Sequence, residues 1–96
     1  MRIEHPTSDF DAWKRAFDSD PVSRAQGGVR RYRVMRPYDD RSYAMIDLEF
    51  ERAEQAQAFL VELRELWTRV DVMRDPQAKV TELIDSEQLA AFPGAA

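Results

Sequence analysis

The residue of this chain best suited to move a proton near neutral pH is its single histidine, His5. Pro6 follows it and favours extended backbone at His5, and a helix is predicted to begin a few residues later. The positive end of that helix favours a neutral imidazole, which can act as a general base. His5 is therefore a candidate catalytic residue. The alternatives are a ligand contact and a solvated side chain with no chemical role.

Four charged side chains form a second candidate group, because they alternate along two predicted strands. Arg31 and Arg33 share one face of their strand, and Asp47 and Glu49 share one face of the next. Opposite charges on one sheet face predict ion pairs across the strands or across a dimer. The alternative is a polar cavity that binds an anionic ligand.

Metal and cofactor chemistry has little support in the sequence. The chain has no cysteine, so it has no thiolate metal site. Asp39 and Asp40 are typical of a turn, and no glycine-rich phosphate loop is present. No nucleophile can be placed beside His5. We therefore expect no metal and no cofactor.

Length and charge limit the class of protein. A chain of 96 residues forms one domain, predicted over residues 1–91, with residues 92–96 as a flexible tail. The net charge of −4 argues against nucleic-acid binding. No segment approaches the roughly 20 apolar residues that span a bilayer, and no signal peptide is apparent. We expect a cytoplasmic protein with neither membrane nor nucleic acid as a partner.

Hydrophobic periodicity predicts the elements that position these residues. Apolar residues at helical spacing predict helices over residues 9–18, capped by Ser8, and 52–70, with Leu63 near the centre of the second. Strands are predicted at residues 1–5, "VRRYRVMR" (29–36), "SYAMIDLEF" (42–50) and "KVTELID" (79–85). The order βαββαβ predicts an α+β, ferredoxin-like fold with a four-stranded antiparallel sheet and both helices on one face.

The opposite sheet face carries apolar residues among the charges, which predicts a homodimer that packs sheet on sheet into an α+β barrel. Val29 and Tyr43 are expected on that face. The predicted interface comprises Arg31, Arg33, Met35, Met45, Asp47, Glu49 and Leu83.

Strand direction predicts a small-molecule pocket. The first two strands run the same way, so their ends meet the start of the third strand, the start of the first helix and the end of the second. The residues expected near His5 at this pocket are Trp13, Tyr32, Arg36, Tyr43 and Trp67. For the two tryptophans, core packing is the alternative to ligand contact.

The chain resembles the dimeric α+β barrel superfamily, near its antibiotic-biosynthesis-monooxygenase-like members. The resemblance covers residues 1–85 and rests on the element order, "GVRRYRV", "DDRSYAMIDLEFE" and the helix "AEQAQAFLVELRELW". It implies a pocket between sheet and helices. The haem-degrading branch is similar in having a late tryptophan, as at Trp67, but "TRVDVMRDPQAKV" lacks the histidine that would ligate iron.

Two functions follow as expectations. The first is a cofactor-independent monooxygenase, cyclase or isomerase that acts on a small aromatic or polyketide-like molecule, with His5 transferring a proton. The second is a non-catalytic dimeric ligand-binding or accessory protein. The sequence does not decide whether the protein is an enzyme.

Overall fold

The predicted order of elements is confirmed in the computed structural model, which describes residues 1–70 and 73–89. The elements are β1 (Arg2–Pro6), α1 (Phe10–Asp18), β2 (Val29–Met35), β3 (Tyr43–Phe50), α2 (Ala53–Trp67) and β4 (Gln77–Lys79). The predicted tail, residues 92–96, lies outside the described residues.

The four strands form one antiparallel sheet in the order β2-β3-β1-β4. Both β1 and β2 pair antiparallel with β3, so they run in the same direction, as the sequence predicts. His5 faces Ala44 and Met35 faces Met45, which places the ends of β1 and β2 beside the start of β3. The fold is therefore α+β, with an open four-stranded sheet and two helices, and is compatible with a ferredoxin-like arrangement.

The core lies between one sheet face and both helices. Alternate residues of β3 (Ala44, Ile46 and Leu48) are buried, because successive side chains of a strand point to opposite faces. Trp13 of α1 and Phe59 of α2 pack against them in the same cluster. Leu63, which the sequence predicts near the centre of this helix and on its apolar stripe, is only partly buried. The most buried side chains of α2 lie about one turn earlier.

Helix α1 begins one residue later than predicted, because its N-cap is Asp9 and not Ser8. The backbone of Asp9 is extended, with φ −151° and ψ 100°, and its carboxylate accepts a hydrogen bond from the Ala12 amide at 3.0 Å. A short polar side chain in this position satisfies one of the free amides of the first turn. Asp11 in that turn adds a favourable charge at the positive end of the helix.

Two strand predictions are wrong in detail. β4 covers only Gln77–Lys79, and residues 80–89 have no regular secondary structure. Lys79 pairs with Arg2, where β1 begins, so β1 offers no further strand residues to extend the ladder. At the start of β2, a bulge at Arg30 changes the parity, and Val29 faces Phe50 on the helix side of the sheet.

Candidate functional site

A cavity of about 260 Å³ lies between the sheet and the two helices. β1 and β3 supply its floor, while α1, α2 and the segment that follows α1 supply its walls. The lining is almost entirely apolar and aromatic. Its main side chains are Ile3, Trp13, Phe17, Ile46, Leu48, Phe59, Leu63, Leu66, Trp67, Val70 and Met73.

The predicted pocket residues are divided among four places. Trp13 and Trp67 both line the cavity. Tyr32 lies beside it, with its ring edge on Phe17 at a centroid distance of 5.1 Å. The Arg36 guanidinium lies 4.5 Å from the centre of the Phe10 ring. Tyr43 is on the opposite sheet face, where its hydroxyl donates a hydrogen bond to Glu4 at 2.9 Å.

His5 is fully buried on the helix side of β1. Its ring centre lies 5.4 Å from that of Trp13, so the indole contacts the imidazole and also forms part of the cavity wall. Nδ1 lies 2.9 Å from the Pro6 carbonyl oxygen, a contact that fits the tautomer with its proton on Nδ1. In the described part of the chain, Nε2 is buried without a hydrogen-bond partner. The imidazole is therefore buried with one ring nitrogen that no described residue contacts through a hydrogen bond.

Burial lowers the pKa of His5 below its ordinary value of 6.5, and the contact with the Pro6 carbonyl opposes this only in part. A protonated ring at this position would be a cation without contact to water, so burial favours the neutral form. At neutral pH the folded protein therefore holds an uncharged His5 whose Nε2 lone pair is free to accept a proton.

The pH dependence of unfolding should report this buried ring. The unfolded chain takes up a proton near pH 6.5 while the folded imidazole stays neutral, so stability falls as the pH drops below 6.5. The loss ends below the lowered pKa and has a slope of at most about 1.4 kcal/mol per pH unit. Urea unfolding of the wild type and His5→Gln between pH 5 and 8 measures the difference. The Met1 amine, whose pKa burial also lowers, contributes to both proteins and cancels. Parallel curves would show that His5 titrates as it does in the unfolded chain.

Arg24 and Asp20 form a polar group at one side of the cavity that the sequence pattern did not reveal. Arg24 donates a hydrogen bond from Nη1 to the Phe17 carbonyl at 2.7 Å, and its guanidinium lies 3.9 Å from the centre of the Phe17 ring. Its Nε is 3.6 Å from an Asp20 carboxylate oxygen. Both side chains line the cavity. Asp20 and Arg24 are four residues apart, a spacing typical of an ion pair on a helix, but the sequence around them does not predict a helix.

The sheet face opposite the helices, which we call the open face, carries the predicted charges as ion pairs. Asp47 lies 3.7 Å from Arg33, which confirms the predicted pairing of Asp47 with an arginine of β2, and Arg31 lies 3.6 Å from Glu49. The closer partner of Asp47 is Arg2, with Nε 2.5 Å from Oδ1. The alternation of side chains along the strands did not identify Arg2 as a partner of Asp47, because the predicted first strand was too short for its residues to be assigned to a face. The Arg2 guanidinium holds the pKa of Asp47 below its usual range.

The other interface candidates occupy two settings. Met35 and Met45 are cross-strand partners on the open face and are partly buried. Leu83 lies beyond β4 and is 82% exposed. The open face therefore carries ion pairs and a pair of methionines near the end of β2. Leu83 belongs to the segment that follows β4.

No protein family, curated protein or solved structure matches this chain. Within residues 1–70 and 73–89, no helix has the length and apolar character needed to cross a bilayer. The same residues contain no group of three or more histidine, aspartate or glutamate side chains placed to hold a metal ion.

Proposed function

We propose that this protein binds a small, largely apolar molecule in the cavity between α1, α2 and the sheet. The observation that carries the proposal is the cavity itself, which has a volume of about 260 Å³ and is walled by two tryptophans, two phenylalanines and aliphatic side chains. Concave apolar surfaces with a few polar groups are the usual form of small-molecule sites. A core built only for stability is packed with few voids larger than a water molecule.

The volume of the cavity limits the size of the ligand. An apolar cavity of about 150 Å³ can hold benzene, and sites for drug-sized molecules begin at about 300 Å³. A cavity of about 260 Å³ therefore fits one or two fused rings, or a chain of comparable bulk. Arg24 and Asp20 lie together at one side of the lining, and their polar groups favour a ligand with a polar end at that side.

Filling the cavity tests this proposal. We expect Leu63→Trp to abolish or weaken at least about tenfold the binding of 2-naphthoate and 2-naphthol, because the indole would occupy the space they need. The matched control is Val61→Trp, which adds the same side chain to an exposed position of the same helix. Isothermal titration calorimetry measures the affinity. Equal affinities for wild type and Leu63→Trp, or no binding by the wild type, would contradict the proposal.

Catalysis by His5 is a second candidate, in which the protein acts as a cofactor-independent monooxygenase, cyclase or isomerase. The neutral imidazole with an unpartnered Nε2 favours it, because such a ring can accept a proton without first losing one. The position of the ring argues against direct proton transfer to a ligand, because Trp13 contacts the imidazole and itself lines the cavity. Proton transfer therefore needs the Trp13 indole to move, or a water molecule to bridge the gap. Turnover of aromatic and polyketide-like compounds by wild type and His5→Gln distinguishes the two functions.

We further propose that two copies associate through the open sheet face, which would give a ferredoxin-like dimeric α+β barrel. Met35 and Met45 lie opposite each other on this face, at the end of β2 and near the start of β3. The ion pairs around them satisfy the charges that such packing would bury. Light scattering at micromolar concentration should give about twice the mass of the chain, and a stable monomer would contradict the dimer.

A further inference from the structure

Residues 80–89, "VTELIDSEQL", form a segment that we call the arm. It follows β4, has no regular secondary structure and is exposed from Thr81 to Leu89. Leu83 and Ile84 are each 82% exposed and Leu89 is 73% exposed. Three large apolar side chains within seven residues are an unusual content for a segment that stays in water.

The arm is acidic and one edge of the sheet is basic. Glu82, Asp85 and Glu87 are the charged residues of the arm, and it has no basic residue. The strand β2 contains Arg30, Arg31 and Arg33 and no acidic residue. β2 also ends the sheet on one side, so its outer backbone groups are free to pair with another strand.

One antiparallel register matches the arm to β2 in both charge and hydrophobicity. With Leu83 opposite Met35, the alternation places Asp85 opposite Arg33 and Glu87 opposite Arg31, all on the open face. In the same register Ile84 faces Val34 on the helix side of the sheet. A slip by one residue would place Ile84 opposite Arg33, so the register is well specified.

The arm cannot reach this position on its own chain. β4 and the outer side of β2 are separated by four strand spacings, about 19 Å at 4.8 Å each. Only four residue steps join Lys79, the last residue of β4, to Leu83, and these span at most about 14 Å. The edge strand that the arm fits must therefore belong to another molecule.

We propose that the arm of one copy pairs as an antiparallel fifth strand with β2 of a second copy. The inference rests on the proposed homodimer and specifies a contact that sheet-to-sheet packing does not require. In a symmetric dimer the exchange occurs twice, so each copy both gives an arm and receives one. The exposed side chains of Leu83 and Ile84 would then lie beside Met35 and Val34 of β2.

Disulfide trapping tests the register directly, because the chain has no cysteine of its own. We expect Met35→Cys/Leu83→Cys to form a covalent dimer under mild oxidation, visible on a non-reducing gel. The matched control is Met35→Cys/Ile84→Cys, whose second thiol would lie on the opposite face. Equal crosslinking of the two variants, no crosslinking, or a disulfide within one chain would overturn the proposal.

Charge reversal in the arm provides a second measurement that leaves the core unchanged. Asp85→Lys should weaken the dimer at least about tenfold, because each dimer contains the altered pair with Arg33 twice. Glu62→Lys makes the same change in charge at an exposed position of α2, outside both the arm and β2, and should have little effect. Analytical ultracentrifugation measures the dimer dissociation constants of both variants. A wild-type monomer overturns the homodimer and the exchange together, whereas a dimer equally tolerant of both substitutions overturns the exchange alone.

Discussion

Replacing Phe59 by alanine is expected to lower the free energy of unfolding by about 3–5 kcal/mol. Phe59 is 1% exposed and is the largest fully buried side chain of the described core. Its ring packs against Phe50 at a centroid distance of 5.7 Å, within the cluster that joins α2 to β1 and β3. The total stability of a chain of this length is about 5–14 kcal/mol, so the loss is a large part of it. Urea unfolding at neutral pH measures the change.

Two controls make this result specific to the packing of the ring. Val61→Ala, on the exposed side of the same helix, should change stability by less than about 0.5 kcal/mol. Gly27→Ala should itself be costly, because a Cβ at Gly27 would lie 2.2 Å from Cδ1 of Phe59. In the Phe59→Ala background that clash is absent, so the two losses should not add. A small loss for Phe59→Ala would mean that α2 does not pack against the sheet.

The sequence predicted the parts of the fold that periodicity determines. Alternation in β3 identified Ala44, Ile46 and Leu48 as inward-facing, and the stripe of α2 identified its buried side. Periodicity did not predict which residues of that stripe are the most deeply buried. Phe59 and Leu63 both line the cavity, but Phe59 belongs to the buried cluster whereas Leu63 packs against it and is only partly buried. The difference depends on how the helix crosses the sheet in three dimensions.

The predicted site was limited in the same way. The two tryptophans could be assigned to the cavity side because both lie on apolar helix stripes. Tyr43 is at the predicted end of the sheet, but strand parity places its side chain on the other face. Arg24 belongs to a segment without periodicity, and its contact with the Phe17 carbonyl depends on a local chain path that no pattern encodes. The extent of β4 depended on where its partner β1 begins, which is a property of the pairing and not of the sequence of β4.

The largest effect of a single side chain on function is expected at His5. If the cavity is catalytic, His5→Gln should lower the rate by about 10²–10⁴-fold, because glutamine keeps a polar side chain of similar size but cannot accept the proton. The wild-type rate should persist below pH 6.5 and fall only as the pH passes through the lowered pKa of His5. Tyr38→Phe, at a fully exposed position, is the control and should leave the rate unchanged.

The affinity for the ligand separates catalysis from simple binding in the same variant. His5 is held behind Trp13 and is outside the cavity lining, so His5→Gln should change the affinity for 2-naphthoate by less than about threefold in either case. A large loss of rate at unchanged affinity identifies His5 as the proton-transfer residue. Unchanged affinity with no turnover by the wild type assigns the protein to the ligand-binding class. A large loss of affinity would mean that His5 supports the cavity through Trp13, and its buried imidazole would then be a structural part of the site.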